Sequence, residues 1–252
     1  MAPNIYYMGY GGLINVGGLR IAGISGIYKG PDYLKGRYEK TPYTDSSIRS
    51  VYHVRNLEVF RMKQLDPTVP IDIFLSHDWP RGVTKYGNAE KLCRQKKFFR
   101  EEVESDSLGS RAAQELLHHV KPRYWFAGHL HVKFSAVVAH CNDQGGESTD
   151  NGKVDAEKIT RHTRFLALDK CLPRRDFLQV IDVKAARRHK FQNGITKKTD
   201  VPNKPAENKS VRDYCYYDVY DSTGRVQLYH DLEWLTVLRL TNHLQKVYTC
   251  LP

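Results

Sequence analysis

Cysteine is scarce in this chain of 252 residues: five are present (Cys93, Cys141, Cys171, Cys215 and Cys250), odd in number, widely spread and without a Cys-x-x-Cys pair. Neither a disulfide framework nor a zinc ribbon is indicated, and a reducing compartment is the default. Long apolar runs are missing too. None approaches the length of a membrane span, and the opening MAPNIYYMGYGG has neither the basic nor the apolar region of a secretory signal. No membrane partner is expected. Internal repeats are absent, and a mixed composition with 16 Tyr, 9 Phe and 3 Trp excludes collagen-like, coiled-coil and wholly disordered chains. Acidic residues are in deficit, 28 against 39 Lys and Arg, for a net charge of +11. Such a balance favours a polyanionic partner, nucleic acid before a membrane, because no basic amphipathic helix stands out.

What is present reads as alternating strands and helices. IYYMG, LINVGG and LRIAGISGI, within residues 5–27, have the pattern of short strands around glycine turns. A loop rich in Gly, Pro, Lys and Tyr follows, and the spacing of apolar residues from Ile48 to Leu65 predicts one helix capped by Ser46 or Ser47. IDIFLS (71–76) is a buried strand that opens onto His77-Asp78-Trp79-Pro80-Arg81-Gly82. Helices are expected over 88–104 and 109–120. YWFAG (124–128) is a further strand, leading through His129-Leu130-His131 to the strand VKFSAVVAH. Residues 142–158 are polar and read as a surface loop. RFLALDKCLPRRDFLQVIDV resumes strand character, 185–213 is polar and basic, and YCYYDVY with DLEWLTVLRLTNHL supplies a strand and an amphipathic helix. The fold class is α/β.

Chemistry concentrates where two apolar strands end, one in Ser76-His77-Asp78 and the other in Gly128-His129-Leu130-His131. Ligands of α/β sheets bind beyond the carboxyl ends of strands. Two histidines at i and i+2 of extended chain point to one side, so three imidazoles from two strand ends make half of a metal site. The alternative is that His129 and His131 are ordinary polar residues at a turn.

At these residues the chain resembles a known family. LSHDWPRG and AGHLHVKF are similar to the last two metal motifs of calcineurin-like metallophosphoesterases, in the form used by the RNA lariat debranching enzymes. The likeness extends over PNIYYMG, GLRIAGISGIYK, SIRSVYHVRN, FLALDKCLPRRDFLQV and LEWLTVLR. It implies an α/β metallophosphoesterase sandwich of two β-sheets flanked by helices, incomplete here, with the family's C-terminal region attached. It implies that His77 and His129 are ligands of one divalent metal (Fe, Zn or Mn) and His131 a ligand of another. Two such metals, bridged by a carboxylate and a hydroxide, would attack the 2′–5′ phosphodiester of a branched intron lariat RNA. Segment 25–56 resembles the family's lariat recognition loop. There Lys29, Lys35, Arg37, Arg49 and Arg55 can meet phosphates while Tyr33, Tyr38, Tyr43 and Tyr52 offer stacking faces. Each of these nine is equally readable as a solvated surface charge or a core tyrosine.

The family's first three motifs have no counterpart. The chain contains no Asp-x-His, Cys-x-His or Gly-Asp, and its single Gly-Asn is Gly87-Asn88-Ala89-Glu90, a helix start. The bridging carboxylate, the remaining ligands and the histidine that protonates the leaving oxygen are therefore expected to be missing, as in a truncated chain. The expected organisation is a metallophosphoesterase domain at 1–140, a linker or surface loop at 141–160 and a C-terminal domain at 161–252. Debranching by a metal-dependent phosphodiesterase in the nucleus, with this chain inactive alone, is one expectation. A non-catalytic RNA-binding fragment or paralogue is the other. Cys171 is read as a buried thiol, His53 as a helix-face residue, and His140 is given no role.

Overall fold

The structure, a computed structural model, describes residues 5–141, 159–184 and 224–249. The expectations for 142–158, 185–213 and YCYYDVY fall outside these residues. Two strands, β1 (Gly11–Val16) and β2 (Leu19–Ile24), form a hairpin about Gly17-Gly18, both at positive φ (57° and 78°). A two-residue turn of that kind needs left-handed backbone at both positions, which glycine supplies without steric cost. Short helices α1 (Gly30–Tyr33), α2 (Asp45–Ser50) and α3 (Asn56–Lys63) follow, then β3 (Ile73–Ser76). A 3₁₀ turn at Val83–Tyr86 leads into α4 (Ala89–Gln95), and a second at Lys97–Phe99 into α5 (Arg100–Glu104). The order continues with α6 (Arg111–Val120), β4 (Tyr124–Ala127), β5 (Phe134–Cys141), β6 (Ile159–Ala167), β7 (Leu228–His230) and α7 (Leu232–Thr249).

All seven strands lie in one mixed sheet, ordered β5-β6-β4-β3-β2-β1-β7. The central run β2, β3, β4, β6 is parallel, and antiparallel strands close both ends. The α/β class is as expected, and β6 (159–167) and β7 (228–230) are strands of this same sheet. No helix among the described residues is long and apolar enough to cross a membrane.

Register separates the two faces. Leu13, Ala22, Phe74, Trp125, Phe165 and Ala136 occupy matched positions on one face, all buried, and share a core with Val59, Met62, Leu116 and Leu117 of α3 and α6. α6 supplies its stripe from Ala112, Ala113, Leu116, Leu117 and Val120, the spacing of one helical face. The opposite face carries Ile14, Ile21, Ile73, Leu75, Tyr124, Phe126 and Val137, which are only half-buried or exposed. It is approached by Met8, whose carbonyl oxygen would clash with a Cβ on Gly12, and by Gln179 and Ile181, which help enclose an open cavity of about 450 Å³ over Tyr124, Phe126 and Val137.

Asp231 ties the C-terminal segment to the hairpin. Fully buried, it accepts hydrogen bonds from Asn15 Nδ2 (2.8 Å) and Arg20 Nε (2.9 Å), and from the backbone N–H of Glu233 and Trp234 at the start of α7. One carboxylate thus caps a helix and neutralises a buried arginine, the arrangement that makes a buried charge tolerable.

Six local expectations change. IYYMG (5–9) is irregular chain rather than a strand, and the helix expected over 88–104 is interrupted where Lys96 leaves helical backbone (φ −133°, ψ 77°) and a 3₁₀ turn separates α4 from α5. The single helix over 48–65 is two helices with a break, because Tyr52–Val54 pairs with Gly26–Tyr28: Ile27 N–H donates to the Tyr52 carbonyl and Val54 N–H to that of Ile27. Gly26 permits the approach, at φ 103° with the Tyr52 oxygen 2.2 Å from where a Cβ would stand. The cap of α2 is Thr44, in a reciprocal box with Ser47. His53 consequently lies on this extended segment, not on a helix face. Finally, strand character stops at Ala167, and the irregular chain over 168–184 keeps to the surface, so Cys171 is exposed rather than buried.

Candidate metal centre and nucleic-acid interface

Strands β3 and β4 run side by side and parallel, so the turns that follow them leave the sheet together. Hydrogen bonds lock the turns to each other. Gly128 N–H donates to the His77 carbonyl at 3.0 Å, Trp79 Nε1 donates to the Gly128 carbonyl at 2.8 Å, and Trp125 Nε1 donates to Ser76 Oγ at 2.8 Å. Trp79 is itself buried against Phe134 and Phe165. Two core indoles thereby fix the backbone that carries the histidines.

The result is a contact between His77 and His129, with Nε2 of the first 3.0 Å from Nδ1 of the second and the rings edge-on. Burial, reinforced by the charge His129 can carry, lowers the pKa of His77 and favours the neutral imidazole that binds metals. Nitrogens bonded to one ion at about 2.1 Å, in tetrahedral or octahedral geometry, stand about 3.0–3.4 Å apart, so this pair fits two positions on a single ion. Two donors are not a full set. Among the described residues there is no group of three or more His, Cys, Asp or Glu able to hold an ion.

No hydrogen bond or ring contact joins His131 to this pair among the described residues, although its charge bears on His77. The premise of an extended His-Leu-His fails locally, since His129 and His131 sit at φ 59° and 50°, in the left-handed region. His131 is exposed, and its pKa is lowered by desolvation and by Lys170 and Lys96. Beneath the pair is Asp78, a buried carboxylate that accepts from Trp79 N–H at 2.8 Å and from the backbone of Tyr28. Burial pushes its pKa up, against the opposing pull of His129 and His77. Sequence reasoning passed over Asp78 as a site residue, although its place directly after His77 was the available signal.

Segment 25–56 lies on the β2 side of this site, because β2 is parallel to β3 and Tyr28 reaches Asp78. Its charged residues divide into two groups. Arg55 is buried with Glu39, Nη2 to Oε1 at 2.5 Å, and also donates to Ser50. Arg37 lies 3.2 Å over the Tyr10 ring, donates to the Val51 carbonyl and faces Glu58 at 3.5 Å. Both guanidinium groups are engaged within the fold. Lys29 and Arg49 are exposed, and Lys35 is exposed beside Asp32 at 3.1 Å. Among the aromatics, Tyr38, Tyr43 and Tyr52 are exposed. Tyr33 packs against Tyr28, and burial, with a contribution from Glu115, raises its pKa to about 12. Asp32 also meets His53 Nδ1 at 2.7 Å, a pair separated by 21 positions that spacing in sequence does not announce. Burial opposes its ionisation, but His53 and Lys35 outweigh that and hold the Asp32 pKa down.

The lariat debranching enzyme C-terminal domain family matches residues 160–250. The chain is 47% identical over 247 residues to the lariat debranching enzyme of Homo sapiens, covering 98% of this chain and 37% of the relative. It is 46% identical over 268 residues to that of Drosophila melanogaster (98% of this chain, 43% of the relative). To that of Arabidopsis thaliana it is 50% identical over 184 residues (73% of this chain, 40% of the relative). The chain therefore spans well under half the length of these curated relatives.

Proposed function

We propose that this chain, a homologue of the lariat debranching enzymes over nearly all of its length, carries one part of a metal-dependent phosphodiesterase acting on the 2′–5′ branch of intron lariat RNA. The observation that carries this reading is the contact of His77 with His129 at the ends of two parallel strands. Together they would hold one divalent ion (Fe, Zn or Mn), with Asp78 below them as an orienting charge, and His131 would serve a second ion. Bound metals at such a site generate a nucleophile and neutralise charge on the phosphorus oxygens. The chain's own residues would fix the ligands and present Lys29, Lys35, Arg49, Tyr38, Tyr43 and Tyr52 to phosphates and unpaired bases. The setting is nuclear RNA processing. An apolar, half-covered sheet face supports an incomplete sandwich, since parallel sheets are ordinarily covered on both faces.

Turnover by this chain alone is not expected. Phosphoryl transfer depends on positioning and electrostatic stabilisation, and two histidines supply a fraction of the groups a two-metal site needs. The second reading, RNA binding without catalysis, is favoured by the lack of a three-donor cluster among the described residues. A single experiment separates them. Fusing the N-terminal segment of a relative ahead of this chain should yield metal-dependent debranching that His77→Ala or His129→Ala abolishes. Debranching indifferent to both substitutions would remove the ligand assignment, and a fusion that binds RNA but never cleaves would favour the second reading.

A further inference from the structure

A second basic and aromatic surface lies on the other side of the histidine pair from segment 25–56. Residues 94–100 read RQKKFFR, four cations in seven positions with no acid. Phe99 is buried and anchors the turn, while the adjacent Phe98 is 71% exposed, edge-on to Phe99 with centroids 4.4 Å apart. Lys96 Nζ stands 6.0 Å from the Phe98 ring centroid. Arg94 and Arg100 have exposed partners in Glu90 and Glu104, whereas Lys96 and Lys97 form no salt bridge among the described residues. Phe98 presents an open aromatic face beside two cations that form no salt bridge among the described residues. That combination suits a surface that stacks a base and tracks a phosphate backbone.

Topology places this turn beside the site. Gly87, just before α4, pairs with Ala136 of β5, and a Cβ there would collide with the Ser135 carbonyl and the Phe134 ring. The start of α4 is therefore pressed against the start of β5, three residues beyond His131. Loop 169–176 joins the same side through Lys133 Nζ to Asp176 at 3.8 Å and adds Lys170, Arg174 and Arg175, although Arg175 is paired with Asp169 at 3.1 Å. Lys96 is near enough to Asp169 and His131 for its charge to bear on both. Along the sheet, segment 25–56 flanks the histidines from β2 and this surface flanks them from β5.

We infer that Phe98, Lys96 and Lys97 form a second single-strand RNA contact, with Phe98 stacking a base and the lysines meeting its flanking phosphates. The inference rests on the proposed RNA reading. A branch nucleotide sends chain away through its 2′, 3′ and 5′ linkages, so a protein engaging a branch needs surface on more than one side of it.

The test is fluorescence anisotropy of the full chain with a short single-stranded RNA and with a branched RNA, over a salt series. Phe98→Ala should weaken binding roughly 5- to 100-fold, with Phe98→Tyr restoring it. K96A/K97A should reduce the slope of log affinity against log salt by about 1.4, at roughly 0.7 per phosphate contact. Ultraviolet crosslinking should place an RNA adduct on the peptide holding Phe98. If the wild-type chain binds RNA but both variants bind like it, while K29A/K35A/R49A weakens binding, the second contact is wrong and the broader reading stands. If the wild-type chain binds no RNA, both fall.

Discussion

Two faces of one sheet have received opposite treatment. On one, Leu13, Ala22, Phe74, Trp125, Phe165 and Ala136 lie under α3 and α6 and are almost fully removed from water. On the other, Leu75 remains 38% and Val137 55% exposed, although both belong to strands whose neighbours are equally apolar. Composition does not distinguish the two faces. The difference is what covers them, and it separates residues that stabilise this chain as it stands from residues whose apolar character has no full partner among the described residues. Adjacent positions of β4 make the comparison most directly, because Trp125 faces the helices and Phe126 faces away.

Trp125→Ala should have the largest effect, a loss of about 3–5 kcal/mol, because it removes a fully buried indole, its stacking on Phe74 (centroids 4.1 Å apart) and its hydrogen bond to Ser76. Phe126→Ala, one residue along, should cost less, about 1–2 kcal/mol, since its ring is already partly in water. Urea denaturation of the two variants reads the difference as a shift in midpoint at constant slope. Equal losses would mean that the outer face is as well packed as the inner one.

Acid should act on the covered face next. His140, on β5, is buried and lies near His118 of α6. Thr163 Oγ1 donates to the Pro122 carbonyl, so its oxygen accepts from His140 Nε2 at 2.7 Å and the imidazole carries its proton on Nε2. Burial, with the charges of His118 and Lys121, lowers its pKa from 6.5 to about 4. A base whose folded pKa is depressed stabilises the fold fully above the unfolded pKa, and that contribution disappears as pH falls towards the folded one. Between about pH 6.5 and 4, roughly 3 kcal/mol should therefore be lost. His140→Phe should flatten the stability profile over that window. Glu39 and Asp32, whose pKa values are held low, begin to lose their contribution only as pH falls through about 4.5 and 3.8, at the acid end of this window. His77, also lowered from 6.5, is common to both proteins, so the difference between wild type and His140→Phe isolates His140.

These contrasts also show which parts of the molecule local sequence could reveal. The strand ending in Ser76-His77 was legible because its β-branched and aromatic run is a local pattern, and so were α6 and the start of α4 at Asn88. The break after Ser50 was not, because it depends on Gly26 admitting the Tyr52 backbone from 26 positions away. Burial of Arg55 depends on Glu39, and the pairing of His53 depends on Asp32, both partners set by tertiary contact. The candidate metal centre was legible as residue types at strand ends. Its geometry was not, since left-handed backbone at His129 and His131 takes the place of the extended chain that spacing suggested. Likewise, alternation along β4 and β5 marks both faces as apolar without saying which one the helices will cover.

The smallest effect should come from Val137→Ser, and it bears most sharply on the comparison. Val137 lies in the middle of β5 opposite Arg164 of β6, on the half-covered face, and much of its side chain is already solvated. Surface substitutions of this kind usually change stability by about 0.5 kcal/mol or less, and a polar residue here also shrinks an exposed apolar patch. In the chain as it stands, the urea midpoint should hardly move. In a fusion that supplies a covering layer, the same substitution would bury a hydroxyl among Tyr124, Phe126 and Leu166, at a cost of about 1–3 kcal/mol unless it finds a partner. A cost that appears only in the fusion would show that the outer face is an inner face awaiting its second layer. An equal and small cost in both would mean that the added segment packs elsewhere.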